Sequence, residues 1–163
     1  MIARACAVPR DALLSAYVGR AGTYVDCFEV MLPGEAKLND FVLAFYTTWL
    51  FRIERAVLTI GVRRWISDRD VRALADGTAQ EFAVWEVESR AECQLLLRDH
   101  SGRTRSYLAV ASKDGGVTRL LFGSAVVSSP GGDMGPMLRA LLPLHRLYAK
   151  ALLRLAERKM RWG

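Results

Sequence analysis

His145 is the side chain in this sequence best suited to proton-transfer chemistry, and it is one of two histidines among 163 residues. An imidazole can act as a general base or orient a ligand's polar group, because its unperturbed pKa is about 6.5. Apolar residues spaced three and four apart surround His145, which predicts that its ring points into the protein. The alternative is a core histidine whose ring is satisfied by a backbone carbonyl, for example one freed by Pro143.

Other polar and aromatic residues could complete a ligand site. Arg52 interrupts an apolar helical pattern and could bind a ligand carboxylate bidentately, although such a residue is more often part of a solvated face. Aromatic side chains usually form core first and cavity wall second. Asp26 and Glu92 are predicted to be outward-facing strand residues. The candidate ligand-binding residues are His145, Tyr148, Arg52, Trp49, Trp85, Tyr107 and Phe122.

Nucleophile, phosphate and metal sites find little support in the sequence. His100 lies in a predicted turn, so no Ser/His/Asp set can be assembled from the pattern. The glycine-rich segment 128–135 lacks the Gly-Lys-Ser/Thr ending of a phosphate-binding loop. Cys6, Cys27 and Cys93 lack metal-ligand spacing, and their odd number favours reduced thiols in a cytoplasmic protein. We therefore predict no metal and no cofactor, and no catalytic residue other than His145 if the protein is an enzyme.

The elements that must position these residues centre on a predicted helix over 134–161, with a kink near Pro143. Its apolar side consists of Leu138, Leu141, Leu142, His145, Tyr148, Ala149, Leu152, Leu155 and Ala156. The segment from Arg139 onward has seven Lys/Arg and one acidic residue, which equals the whole net charge of +6. Since nucleic-acid-binding domains usually spread their charge over several elements, we predict no nucleic-acid partner. Weak contact with a membrane surface or an acidic protein could involve Arg146, Lys150, Arg154 and Arg158.

The remaining patterns predict about five strands and three further helices. Period-2 alternation and turn sequences mark strands over 23–32, 81–88, 92–98, 103–111 and 117–127. A short helix is predicted within 9–18, and another from a Ser67–Asp70 capping box to Gly77. A longer helix, from an Asn39 N-cap to about Ile60, is predicted to bury Val42, Phe45, Tyr46, Trp49, Ile53, Val57 and Ile60. The sequence therefore predicts one α+β domain over 1–163, with an antiparallel sheet wrapped on a long C-terminal helix.

Two short motifs add a resemblance to this element order. The pieces Tyr24-Val25-Asp26-Cys27-Phe28 and Pro143-Leu144-His145-Arg146 resemble those of a small, uncharacterised bacterial family within the START-like (helix-grip, SRPBCC) superfamily. The resemblance implies a curved sheet around the last helix, with an apolar ligand held between them. It carries over no catalytic residue.

Three functions are compatible with these expectations. The first is non-catalytic binding of a small hydrophobic or amphipathic ligand in a cavity between sheet and helix, by a monomer or homodimer. The second is a polyketide cyclase- or dehydratase-like enzyme that uses His145 for proton transfer. The third is an interaction module that docks its basic helix on an acidic partner or membrane. A polar group beside His145 facing an open cavity would favour the enzyme, and a filled core would favour the interaction module.

Overall fold

Seven antiparallel strands form one sheet in the computed structural model, which describes residues 2–53, 67–128 and 136–162. The order of the strands across the sheet is β1-β2-β7-β6-β5-β4-β3. Their bounds are β1 Arg4–Ala5, β2 Thr23–Pro33, β3 Glu81–Phe82, β4 Trp85–Ala91, β5 Gln94–Asp99, β6 Thr104–Lys113 and β7 Val117–Val127.

Helices cover both faces of this sheet. A 3₁₀ helix spans Leu13–Tyr17, and the α-helices are α1 Leu38–Tyr46, α2 Asp68–Ala75 and α3 Pro136–Trp162. Residues 49–53 are also helical. Across the part of the chain that the structure describes, no helix has the length and apolar character needed to cross a membrane.

The predicted fold class, an α+β antiparallel sheet packed on a C-terminal helix, is confirmed. The sheet has two more strands than the approximate prediction of five. Both additions, β1 and β3, are two residues long, too short to show alternation. The predicted strand 81–88 is divided at Ala83, where a positive φ of 56° turns the chain between β3 and β4.

Alternation along the strands separates two cores. Phe28, Val30 and Leu32 of β2 face the helices and belong to the larger core, with Ala149, Leu152, Leu153 and Ala156 of α3. Residues of opposite parity face the 3₁₀ helix, whose Leu14 is fully buried. Gly123 of β7 permits this approach, because a Cβ there would lie 2.5 Å from the Leu14 side chain.

The predicted helix from Asn39 to Ile60 is only partly correct. The N-cap of α1 is Lys37, two residues before the predicted Asn39, and the helix ends at Tyr46. Thr47 and Thr48 donate side-chain hydrogen bonds to the carbonyls of Leu43 and Phe45, which competes with continuation of the helix. Trp49 and Ile53 are consequently exposed rather than buried. Residues 57 and 60, also predicted to be buried, lie outside the described residues.

The capping box at the start of α2 is confirmed. The Ser67 side chain accepts from the Asp70 backbone, and the Asp70 side chain accepts from the Ser67 backbone. A glycine with positive φ, Gly77, follows the helix as predicted.

Helix α3 packs on the sheet through its second half. Ala149, Leu152 and Ala156 are buried as predicted, whereas Leu141 on the same predicted stripe is half exposed. The helix continues through Pro143, where the sequence predicted a kink. Because the first half of α3 does not fill the space beside the sheet, a cavity remains there.

The packing of α3 can be measured with a pair of matched substitutions. Leu152→Ala should lower the free energy of unfolding by about 2–5 kcal/mol, because it removes a buried leucine from a packed core. Leu147→Ala, on the same helix but 66% exposed, should change it by less than about 0.5 kcal/mol. Urea unfolding of both variants tests this difference, and equal effects would contradict the packing described here.

Candidate functional site

A cavity of about 610 Å³ lies between the helix-facing side of the sheet and the first half of α3. Its wall is almost entirely apolar. The lining residues are Phe45, Tyr46, Phe51, Trp85, Thr104, Arg105, Ser106, Phe122, Ser124, Ala125, Val126, Leu141, Leu142, Leu144, His145, Tyr148 and Leu152. Leu141 and Leu144 line the cavity and are exposed to solvent as well, so they form part of its mouth.

Polar side chains beside the cavity are concentrated where β2, β7 and α3 meet. Asp26 of β2 and Ser124 of β7 are register partners, two residues from the apolar pair Phe28 and Phe122. Because residues two apart on a strand share a face, all four side chains point toward α3. His145 of α3 completes this group, and we call Asp26, Ser124 and His145 the polar cluster.

The polar cluster is held by short hydrogen bonds. The Ser124 hydroxyl donates to Asp26 Oδ1 at 2.6 Å. The His145 Nε2 atom lies 2.9 Å from Ser124 Oγ and 3.5 Å from Asp26 Oδ2. Asp26 is 8% exposed at its side chain, whereas His145 is 35% exposed. The carboxylate is therefore the most deeply buried group of the cluster, and the imidazole faces the cavity.

These contacts determine where the protons lie. An ionised carboxylate only accepts hydrogen bonds, so the single hydroxyl proton of Ser124 points at Asp26. The Ser124–His145 bond then requires a proton on His145 Nε2. That nitrogen therefore cannot remove the serine proton, and the three residues do not form the relay of a serine nucleophile, in which His bridges Ser and Asp through different nitrogens.

The environment of Asp26 favours its charged form. Burial by itself would raise the pKa of this carboxyl, but hydrogen bonds from His145, Ser124 and Tyr24 outweigh burial and lower the pKa below its ordinary value. Asp26 therefore carries a negative charge next to the cavity at neutral pH.

A second layer of contacts connects the polar cluster to the basic side of α3. The Tyr24 hydroxyl donates to Asp26 Oδ2 at 2.9 Å and accepts from Arg146 Nε at 2.9 Å. Burial raises the pKa of Tyr24, so its hydroxyl remains a donor. Lys150 Nζ lies 5.6 Å from the centre of the Phe28 ring, a cation–π geometry. These two basic residues contact β2, whereas Arg154 is half-buried and Arg158 is exposed.

Four of the seven candidate ligand-binding residues line the cavity, namely His145, Tyr148, Trp85 and Phe122. The expected position of the His145 ring at the sheet–helix interface is confirmed by its bond to Ser124.

The other three candidates lie elsewhere. Tyr107 lies on the other face of β6, away from the cavity, because consecutive strand residues such as Tyr107 and Leu108 point to opposite faces. Its hydroxyl donates to Gln94 at 2.9 Å there. Arg52 pairs with Asp68 at 2.5 Å on the surface. Trp49 is 62% exposed, because the helix that was expected to bury it ends at Tyr46.

Asp26 corrects the interpretation of β2. It was predicted to face outward, yet it is buried toward α3. The signal was present in the sequence, since Asp26 has the same parity as Phe28, Val30 and Leu32. An apolar face with one acidic residue indicates a buried, partnered carboxylate. Glu92, the other predicted outward carboxylate, is exposed in the turn between β4 and β5. Ser124 was not among the candidates, because an isolated serine in an apolar strand carries no distinctive pattern.

Fold and site together define an α+β protein with an apolar cavity that has one polar wall. No protein-family model matches the sequence, and no curated protein matches it significantly. Among the described residues, no group of three or more His, Cys, Asp or Glu side chains could hold a metal ion.

The charge of Asp26 should be visible in the pH dependence of stability. A carboxyl with a lowered folded-state pKa contributes stability that is present above its unfolded pKa of about 3.9 and is lost as pH falls through the folded value. Asp26→Asn should therefore be less stable than wild type at pH 7, by about 1–3 kcal/mol, and the gap should narrow on acidification.

Urea unfolding at several pH values measures this gap. Glu92→Gln, which changes an exposed carboxylate, is the control and should follow wild type throughout. A gap for Asp26→Asn that stays the same from pH 7 to well below the unfolded pKa of about 3.9 would show that the cluster does not stabilise the charge of Asp26.

Proposed function

We propose that the protein binds a small hydrophobic or amphipathic ligand, without catalysis, in the cavity between the sheet and α3. The observation that carries this proposal is the cavity itself. Its volume of about 610 Å³ lies within the roughly 300–1,000 Å³ typical of small-molecule sites. Its wall combines a large apolar area with a few convergent polar groups, the usual composition of such sites.

The distribution of polar groups indicates how the ligand lies. Two helical turns separate His145 from Leu152 along α3, so the polar and apolar parts of the wall are about 10 Å apart. The apolar body of a ligand fits beside Leu152, Phe45 and Phe51. Its polar end fits beside His145, which presents a ring to the cavity and has a fixed orientation through Ser124.

Charge favours a ligand with an uncharged polar end. Arg105 lines the cavity, but its guanidinium bonds to Tyr17 and Glu88 on the opposite face of the sheet. Asp26 places a negative charge behind the cavity wall, which disfavours a carboxylate there. A hydroxyl or carbonyl group is therefore a better match than an acid. The START-like resemblance supports the same class of function. The odd number of cysteines supports a cytoplasmic location.

Ligand binding can be tested with substitutions at two leucines of α3. Leu142 lines the cavity and Leu147 does not, although both belong to the first half of the helix. Leu142→Trp should reduce the affinity for a fluorescent fatty alcohol at least tenfold, since the larger ring occupies ligand space. Leu147→Trp should leave the affinity unchanged.

The readout is a fluorescence titration, accompanied by native mass spectrometry of freshly purified protein to detect a co-purified ligand and to count subunits. A fatty acid of the same chain length should bind more weakly than the alcohol. Equal loss of affinity in both tryptophan variants would place binding outside the cavity.

Acid–base catalysis is the second candidate function, and the pairing of His145 with Asp26 favours it. A carboxylate 3.5 Å from an imidazole at the wall of an open cavity is an arrangement that can orient a general base. Binding remains the first proposal because the Nε2 atom already donates to Ser124, so proton removal would require the other ring nitrogen.

The two candidates differ in the fate of the bound molecule. We expect the ligand identified by native mass spectrometry to have the same mass after prolonged incubation with wild type. If the mass of the ligand changes with wild type but not with His145→Gln, and that variant still binds the ligand, the protein is an enzyme and non-catalytic binding is contradicted.

The basic side of α3 could provide an additional contact with larger partners. Leu144 and Leu147 are exposed on the same half of the helix as Arg146. Together with Lys150, Arg154 and Arg158, they fit a weak contact with an anionic membrane surface or an acidic protein. Such a contact would leave the mouth of the cavity close to the partner.

A further inference from the structure

Cys6 and Cys27 face each other where the first residues of the chain meet β2. The ladder between β1 and β2 pairs Arg4 with Glu29 and Ala5 with Phe28, so the next position pairs the two cysteines. The Cys6 backbone N–H donates to the Cys27 carbonyl at 3.0 Å, which continues this register.

The spacing of such a pair allows a covalent bond between the two thiols. Directly opposed residues on antiparallel strands have Cα atoms about 4.5–5.5 Å apart. Disulfides typically join Cα atoms about 4.4–6.8 Å apart. Both side chains point to the same face of the sheet, where they contact the core that the 3₁₀ helix covers. Both are free thiols in this structure.

The environments of the two thiols assign them different roles. Cys27 is buried, and hydrogen bonding to Cys6 together with burial raises the pKa of Cys27. The same hydrogen bond is the main reason that the pKa of Cys6 is lowered to about 7, and Arg119 assists while burial and Glu29 oppose. Cys6 is also partly accessible. A partly exposed thiolate beside a buried thiol corresponds to an attacking and a resolving cysteine.

We propose that Cys6 and Cys27 form a reversible dithiol–disulfide site that reacts with small-molecule disulfides such as glutathione disulfide. The Cys6 thiolate attacks one sulfur of glutathione disulfide, forming a mixed disulfide and releasing a glutathione thiolate that takes up a proton. Cys27, losing its proton, then attacks the Cys6 sulfur of the mixed disulfide and releases the second glutathione. Two protein thiols are oxidised to one disulfide, and glutathione disulfide is reduced to two glutathione molecules.

Oxidation at this site would act on the strand that holds the polar cluster behind the cavity wall. Cys27 directly follows Asp26, whose side chain points to the opposite face and holds the polar cluster. A disulfide would tie the two-residue strand β1 covalently to β2, beside the ion pair between Arg4 and Glu29. The site is independent of the proposed ligand and can be tested without one.

The test uses reduced, full-length protein equilibrated at pH 7 with buffers of defined glutathione to glutathione disulfide ratio. Remaining thiols are alkylated under denaturing conditions, and disulfides are located by peptide mass spectrometry. We expect the loss of two of the three thiols per chain, a peptide that links Cys6 to Cys27, and recovery of both thiols with excess glutathione. The Cys93→Ser control should give the same linked peptide, because Cys93 is exposed and separate from the pair.

Single variants separate the two roles. Cys27→Ser should stop at a mixed disulfide between glutathione and Cys6, and Cys6→Ser should leave Cys27 unmodified. If a variant does not fold, the presence or absence of the Cys6–Cys27 peptide in wild-type protein decides whether the disulfide forms. Modification of Cys93 alone, a link between Cys6 and Cys93, or a pair that remains alkylatable at every glutathione disulfide ratio would overturn the proposal.

Discussion

The structure depends on the contact between the second half of α3 and the sheet. Ala149, Leu152, Leu153 and Ala156 are almost fully buried there, in the same core as Phe28 and Val30 of β2. A packed interior tolerates no large void where this contact is made. The first half of the same helix extends past the packed region, and its Leu141, Leu144 and Leu147 are exposed. One rigid element therefore closes the core at one end and leaves the cavity at the other.

Strand β2 links the two faces of the protein. Its alternation sends Asp26 toward α3 and Cys27 toward the 3₁₀ helix, so neighbouring residues belong to different chemical sites. A buried carboxylate is stable only with hydrogen-bond partners, and Ser124, Tyr24 and His145 supply them. The position of His145 is consequently fixed by β2 and β7 as well as by its own helix.

Periodicity predicted the parts of this fold in which apolar side chains repeat over many residues. The long strands β2 and β7, the buried Leu152 and the capping box of α2 were predictable because each depends on local pattern. Strand β1 and the division at Ala83 were not, because two-residue strands are set by their partners. The cavity is likewise a property of how far α3 lies from the sheet. Four aromatic or polar wall residues were predictable. Tyr107 was predicted to line the cavity, but its side chain points to the other face of β6.

The proton arrangement in the polar cluster favours binding over covalent catalysis. The Asp26 carboxylate accepts the hydrogen bond of the Ser124 hydroxyl, which leaves the serine oxygen as the acceptor for His145 Nε2. The Ser124, His145 and Tyr24 donors of this network each have an acceptor. A buried network in which every hydrogen bond is made rigidifies the groups that belong to it. If the cavity binds a ligand as proposed, a rigid imidazole at its wall selects ligands by the position of one polar atom. Removing the serine proton would require the network to give up its charge-assisted bond to Asp26, which is the contact that holds it together.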